Sequence, residues 1–258
     1  MPGDQYRSLA ADYHWFFDDV DLQLGCDTPG VRAAIAGLEP GSRVLDAACG
    51  IGVDAAALLR RGLDVAAADA SEEMVEQARN RLRAFGSDGP GRVVASAWTN
   101  LPAHFELGSF GAVFCVGNSI AHAAGEAEMV AAFEAMRSVL APGGILVLDS
   151  HDWAIVHDAG NRMTIEPRVV DRDGIRCIRT YTWRLPDDFG DPCVLDIVPI
   201  FLDGERASLR SYRVQMQPFT RAELKERLAT AGFEAIALDA IPGDDRYTAT
   251  ARRPHSLA

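Results

Sequence analysis

Seven residues, Asp46-Ala47-Ala48-Cys49-Gly50-Ile51-Gly52, combine a carboxylate with small side chains and two glycines. Small residues let a backbone pass close to a ligand, and glycine permits turns that other residues cannot make. The spacing does not fit a dinucleotide site, because Gly50-x-Gly52 is followed by Ala55 where a third glycine would stand. Nor does it fit a P-loop, which needs Gly-Lys-Ser/Thr. What gives the turn its weight is a second acid, Asp69, 17 residues after Gly52. A carboxylate at the end of the next strand can accept both hydroxyls of a ribose; a buried structural aspartate is the alternative. Ala70 and Met74 would sit beside that sugar and could pack on an adenine, although Met74 also suits a core.

Two further residues can move protons. His122 and His151 carry imidazoles, which titrate near neutrality. His122 reads equally as a structural or cofactor contact, and His151 as a substrate contact or a hydrogen-bonded loop residue. His14 is expected to pack with Trp15 and Phe16. The five cysteines (Cys26, Cys49, Cys115, Cys177, Cys193) are odd in number and lack CxxC spacing, so free thiols in a reducing cytoplasm are expected. Cys49 and Cys115 fall near the glycine turn, where they would serve as small apolar walls.

The elements that must position these groups follow from the apolar pattern. Residues 29–38 read as a helix with Thr28 as its cap and Pro29 in the first position. Strands are expected at 43–50, 63–71, 92–98, 110–118 and 143–151, and helices at 53–62, 72–85 and 126–141. Buried runs alternating with amphipathic helices mean a parallel sheet covered on both faces. The pattern breaks after residue 160. Asp173-Gly174 and Asp203-Gly204 sit between strand-like runs, which predicts two hairpins making a small antiparallel sheet. Thr220-Arg221-Ala222-Glu223 is a capping box opening a helix over 221–231, and two last strands return to the main sheet. The expected fold is therefore α/β: a Rossmann-like, seven-stranded, mostly parallel sheet with helices on both faces, plus an antiparallel insertion. Residues 1–160 and 218–258 would form the body and 161–217 the insertion.

Composition bounds the function. A chain of 258 residues with 48% apolar content can bury one sizeable core. A formal net charge of -12 argues against a general nucleic-acid binder and against docking on an anionic membrane. No apolar run is long enough to span a bilayer and the first residues do not read as a secretory signal, so a cytoplasmic protein is expected. The insertion is charge-balanced, with nine arginines against nine acids. Those arginines read either as a solvated face or as recognition of an anionic substrate group.

Taken together, VLDAACGIG, VAAADAS and LAPGGILVLDS resemble the class I S-adenosylmethionine-dependent methyltransferases over about residues 40–150. LAADYHWFF, DAACGIGVDAAALLRRG and the segment Val116-Gly117-Asn118-Ser119-Ile120-Ala121-His122 are more closely similar to the glycine and sarcosine N-methyltransferase group. The resemblance implies that Asp46, Ala48, Gly50 and Gly52 line the methionine and ribose portion of S-adenosylmethionine. Asp69 would bind the ribose hydroxyls, with Ala70, Met74 and Trp98 around the adenine. Ala97 stands where the group carries asparagine. Cys115, Ser119 and His122 would border the methionyl end, Tyr13 would reach over it, and Arg32, matched across a gap, would meet its carboxylate. Asn118 would face the substrate amine. The glycine enzymes place an arginine two residues after the aspartate ending the fifth strand, where this chain has Asp149-Ser150-His151. Imidazole cannot supply a guanidinium's bidentate fork, so an amine other than free glycine becomes the expectation.

The implied reaction is methyl transfer to a small-molecule amine, with S-adenosylhomocysteine as product and no metal. The residues expected to carry it are Asn118, Tyr13, His122 and His151. The N-terminal segment and the insertion would form a lid. Homo-oligomers occur among the glycine enzymes, so self-association is compatible with the resemblance. An O-methyltransferase or a non-catalytic S-adenosylmethionine-binding protein are the rival readings.

Overall fold

The computed structural model describes residues 2–18, 25, 28–87 and 91–255. Strands β1 (Arg43–Asp46), β2 (Asp64–Asp69), β3 (Val93–Ala95), β4 (Phe110–Cys115) and β5 (Leu140–His151) pair in parallel. At the C-terminal end of the described chain, strands β12 (Glu234–Ala240) and β13 (Arg246–Arg252) add an antiparallel edge, giving the order β12-β13-β5-β4-β1-β2-β3. Successive side chains of a strand point to opposite faces. Leu45, Ala66, Val113 and Leu146 therefore pack with Met129, Phe133, Leu224 and Leu228 of the helices Glu126–Val139 and Arg221–Thr230. Val44, Val65, Ala112 and Val147 pack on the other face with Ala55, Leu58, Val75 and Leu82 of the helices Val53–Arg60 and Glu72–Leu82. The strand order reverses at β1, between β2 and β4, and the crevice at the carboxyl ends there is where open α/β sheets hold ligands.

The second sheet comprises β6 (Arg162–Ile165), β7 (Val170–Arg172), β8 (Ile175–Arg184), β9 (Cys193–Asp203), β10 (Arg206–Leu209) and β11 (Tyr212–Met216). Asp173 and Gly174 both take positive φ, 53° and 79°, as a tight hairpin turn between β7 and β8 requires. The two hairpins are joined by the long β8–β9 pairing into one sheet of six strands. The strand-like run before Asp173-Gly174 is split into β6 and β7 around Pro167, which has no N–H to offer the ladder.

Local chemistry sets the helix ends. The Thr28 hydroxyl accepts from the Val31 amide at the start of the helix Pro29–Ala36. Thr220 and Glu223 form the reciprocal capping box of the helix Arg221–Thr230. Short elements not expected from the sequence include the helices Pro2–Arg7, Leu101–His104 and Trp153–Asp158 and the 3-10 turns Ala10–Phe16, Trp98–Asn100 and Ser119–His122. Among the described residues no helix is long and apolar enough to cross a membrane. The four described cysteines are free and buried; Cys26 lies outside the described residues.

Candidate functional site

A cavity of about 560 Å³ opens at the carboxyl ends of β1, β2 and β4. That falls within the 300–1,000 Å³ usual for small-molecule sites. Tyr13, Ala48, Gly50, Asp69, Ala70, Met74, Ala97, Trp98, Ser119 and His122, all singled out from the sequence, line it.

Asp69 is the hinge of the wall. Its carboxylate accepts from the amides of Gly50 and Ser71, each at 2.9 Å, tying the turn after β1 to the turn after β2. An ionised carboxylate offers about four lone-pair sites, so these two amides do not exhaust its capacity for a ligand. Burial pushes the Asp69 carboxyl up from its usual value, against the pull of those backbone hydrogen bonds. Gly50 takes φ +51°, and a Cβ there would meet the Tyr13 ring at 3.5 Å. The turn is therefore built for a close backbone approach. Trp98 donates its indole N–H to the Ala47 carbonyl at 2.9 Å, bracing one end of the cavity. The Met74 amide is capped by the Ser71 hydroxyl, which fixes the start of the helix Glu72–Leu82 under the cavity floor.

Other expected residues stand behind the wall. Asp46 is fully buried; one carboxylate oxygen accepts from the Ala48 amide at 3.4 Å and the other has no protein partner. Burial, with Asp54 next in importance, holds its carboxyl well above the usual range. Gly52 takes φ +80° and packs its bare Cα against Ala78, where a Cβ would sit 3.0 Å from the backbone. Cys115 is buried, and burial pushes its thiol well up, so it is a small apolar wall rather than a nucleophile. Arg32 sits exposed on the helix Pro29–Ala36, away from the cavity lining.

Asn118 adopts left-handed backbone, φ 59°. Its amide N–H donates to Asp149, itself paired with Arg246. Its side-chain oxygen accepts from the Ser150 hydroxyl at 3.0 Å and the His151 amide at 3.1 Å, and its NH₂ points to the Met216 sulfur. The side chain is thus committed to joining β4, β5 and β11, while its neighbours Gly117 and Ser119 line the cavity. His122 is also tied down. Its Nδ1 lies 3.0 Å from the Gln215 carbonyl, which can only accept, so Nδ1 carries the proton and Nε2 receives the Tyr6 hydroxyl at 2.7 Å. Burial lowers the basicity of this imidazole. His151 pairs through Nδ1 with Asp245 at 3.0 Å and stands edge-on to Trp153 and Trp183.

Tyr6 was missed. It lines the cavity edge-on to Tyr13, and the seven-residue spacing of the two tyrosines is the signal that could have found it. The arginines of the insertion have a use that neither expectation named. Arg172 donates to the carbonyls of His14 and Phe17, Arg179 to that of Phe16, and Arg168 pairs with Asp18. Arg210 and the Tyr212 hydroxyl both reach the buried carboxylate of Asp12. The second sheet therefore clamps the 3-10 turn that carries Tyr13 over the cavity. His14 packs on Trp15 as expected, with ring centroids 5.1 Å apart.

Residues 44–144 match the methyltransferase domain family. The chain is 34% identical over 157 residues to a glycine/sarcosine N-methyltransferase of Aphanothece halophytica, covering 56% of each protein. It spans about half the length of the curated relatives it matches. Among solved structures it is similar to DesVI of Streptomyces venezuelae (TM-score 0.73, 22% identity, 95% of this chain and 96% of that one). It is also similar to the sugar N-methyltransferase KedS8 of a Streptoalloteichus species (TM-score 0.68, 25% identity, 89% of each chain).

Proposed function

We propose that this chain, whose residues 44–144 match the methyltransferase domain family, transfers a methyl group from S-adenosylmethionine to the amine of a small molecule, releasing S-adenosylhomocysteine. The observation that carries this reading is the Asp69 carboxylate, held by the Gly50 and Ser71 amides at the rim of a cavity of about 560 Å³. The donor set fits the nucleoside: lone pairs for ribose hydroxyls, Ala70, Met74, Ala97 and Trp98 as a flat wall for adenine, and the bare Gly50 turn under Tyr13 for the methionyl arm. The partnerless, buried Asp46 oxygen sits behind the same turn and suits an ammonium brought close by backbone or water. Bound there, S-adenosylmethionine supplies an electrophilic methyl on a sulfonium, so no metal is needed.

The chain's own work is positioning, which can supply much of such a rate enhancement. Tyr13 and the Gly117 backbone border the methyl end of the cavity. His122, with its lone pair filled by Tyr6, serves as a latch; Asn118, with its oxygen filled twice, shapes the loop rather than gripping the amine. Residues 1–160 and 218–258 make the cofactor-binding body, and 161–217 with the N-terminal segment make a lid. Similarity to glycine/sarcosine and sugar N-methyltransferases supports nitrogen as the acceptor. The absence of an arginine two residues after Asp149 supports an amine that does not present a carboxylate there. The free thiols support a reducing, cytoplasmic setting.

Titration calorimetry with S-adenosylhomocysteine tests the reading. The wild type is expected to bind, and Asp69→Ala to lose about 100-fold or more in affinity, since two hydrogen bonds to a charged group are removed. A wild type that takes up no nucleoside, or an Asp69→Ala variant with unchanged affinity, sinks it.

A further inference from the structure

His151 sits on a ring of side chains that starts and ends at the cavity. Tyr13, on the cavity wall, packs on Phe16 at 5.7 Å between centroids, and Phe16 on Tyr181 at 6.5 Å. Tyr181 and Trp183 are two apart on β8 and so share a face. Trp183 meets the His151 ring at 5.5 Å, and the His151 amide donates to Asn118, whose neighbour Gly117 is again cavity wall. Tyr13 and Gly117 line the cavity while Phe16, Tyr181, Trp183 and His151 stand outside its lining, so an acceptor at the methyl end would meet the ring behind those two residues.

Of the titratable side chains on the ring, His151 combines a basic atom with a fixed orientation. Nδ1 lies 3.0 Å from an Asp245 oxygen, and that hydrogen bond is the first cause holding the Asp245 carboxyl below its usual range. An ionised carboxylate only accepts, so Nδ1 must carry the proton. The Nε2 lone pair then has no hydrogen-bond partner among the described protein atoms. Tyr13 and Tyr181, by contrast, have hydroxyls that burial pushes above their usual value, and His122 has its lone pair filled. A second polar atom points the same way. Trp153 is almost wholly buried, stands edge-on to both His151 and Trp183, and has an indole N–H with no partner in the protein.

Building on the methyl-transfer reading, we infer that His151 is the proton acceptor for the incoming amine and that Asp245, acting through it, is a positioning residue. Nε2 takes a proton from the substrate ammonium, leaving a neutral amine with a free lone pair. That pair forms the nitrogen–carbon bond as the carbon–sulfur bond breaks, and the sulfur keeps the bonding electrons. The products are the methylated ammonium, S-adenosylhomocysteine and one proton left on His151, which is released to solvent. The arrangement also sets a substrate class. An anionic aspartate behind the imidazole favours a cationic ammonium, and the nearby guanidiniums are already engaged: Arg246 with Asp149, Arg221 with Asp152, Arg162 over the Trp183 ring. The acceptor is therefore an amine without a carboxylate on the neighbouring carbon, such as an aminosugar.

The charges that bear on His151 are Asp245 and Asp244 from the turn before β13, Arg246 opposite it in register, Asp149 and Asp152 along the chain, and Arg221 and Arg162 from the packed helix and sheet. The test uses the full chain as wild type, His151→Gln and Asp245→Asn. Two-bond proton–nitrogen spectra of the imidazoles read the tautomer without any substrate. Wild-type His151 should show protonated Nδ1 and bare Nε2, and Asp245→Asn should lose that single tautomer. Labelled-methyl transfer is then followed with glucosamine, methylamine, glycine and sarcosine as probes. The expected result is transfer to glucosamine or methylamine in preference to glycine, a loss of about 100-fold or more in kcat for His151→Gln, and a smaller loss in kcat for Asp245→Asn. Affinity for S-adenosylhomocysteine should be unchanged in both variants. Wild-type turnover in His151→Gln, an unchanged tautomer in Asp245→Asn, or a protonated Nε2 in the wild type overturns the inference. A wild type with no affinity for S-adenosylhomocysteine overturns the methyl-transfer reading instead, whatever the spectra show.

Discussion

His122 illustrates how a residue type that suggests one chemistry can be used for another. With Nδ1–H on the Gln215 carbonyl and Nε2 under the Tyr6 hydroxyl, it joins the N-terminal helix, the loop after β4 and strand β11 at one point. A buried neutral imidazole has a consequence for stability. Its pKa is lowered in the folded state, so the unfolded chain takes up the proton first as pH falls. Stability should hold above about pH 6.5, the ordinary histidine value, and decline below it until the folded pKa is reached. His14, also lowered by burial and then by Arg172, adds to the same slope. Thermal unfolding of wild type and His122→Gln from pH 8 to 5 separates the two. The difference between the two melting temperatures should shrink as pH drops below 6.5, and a constant difference would rule the linkage out. Tyr6→Phe should lower stability by about 1 kcal/mol, the net worth of one hydrogen bond.

The 3-10 turn Ala10–Phe16 is held mainly by an element 150 to 200 positions away in sequence. Arg172 and Arg179 fill the carbonyls at its C-terminal end, where a helix leaves acceptors unsatisfied, and Asp12 is a buried acid whose partners Arg210 and Tyr212 lie on the second sheet. Removing the acid should loosen the turn rather than unfold the body. In Asp12→Ala, amide exchange over residues 10–18 is expected to speed up and affinity for S-adenosylhomocysteine to fall about 10-fold, with the exchange of β1, β4 and β5 unchanged. Equal protection of the turn in both proteins would show that the clamp does not matter. This is also where sequence reading runs out. The alternating strands and helices, the Thr220 capping box and the Asp173-Gly174 hairpin are written in local patterns of a few residues, and each appears where those patterns stand. The turn after β1 and Asp69 were legible because their spacing is short. Tyr6 and the arginine clamps depend on pairs far apart in the chain, and the helix Trp153–Asp158, at six residues, is too short to display a period. Pro167 divides the run before Asp173-Gly174 into β6 and β7, since a proline has no N–H for the ladder.

Across the whole molecule, the two sheets share one apolar interior. Trp183, Leu195, Ile197, Val214 and Met216 from the second sheet belong to the same buried cluster as Leu45, Val113 and Leu148 of the first and Phe133 of the helix Glu126–Val139. Polar ties cross the junction as well: the Gln217 amide donates to the Ala121 carbonyl at 2.7 Å, and Asn118 reaches the Met216 sulfur. A second sheet joined this way cannot swing away as a rigid flap without exposing apolar surface, at roughly 25 cal/mol for each Å² uncovered. Smaller movements, such as release of the N-terminal turn, are the expected route into the cavity. The two sheets should then unfold together. Far-UV circular dichroism reports both sheets, while tryptophan fluorescence draws on Trp98 in the body, on Trp153 and Trp183 at the junction and on Trp15 packed against the second sheet. In a urea titration the two signals are expected to trace one transition. Leu195→Ala, a truncation on the second sheet, should lower stability by about 2–5 kcal/mol and shift both signals by the same amount. A fluorescence midpoint that moves while the dichroism midpoint stays would mean that the second sheet melts by itself, and the argument for a shared core would fail with it.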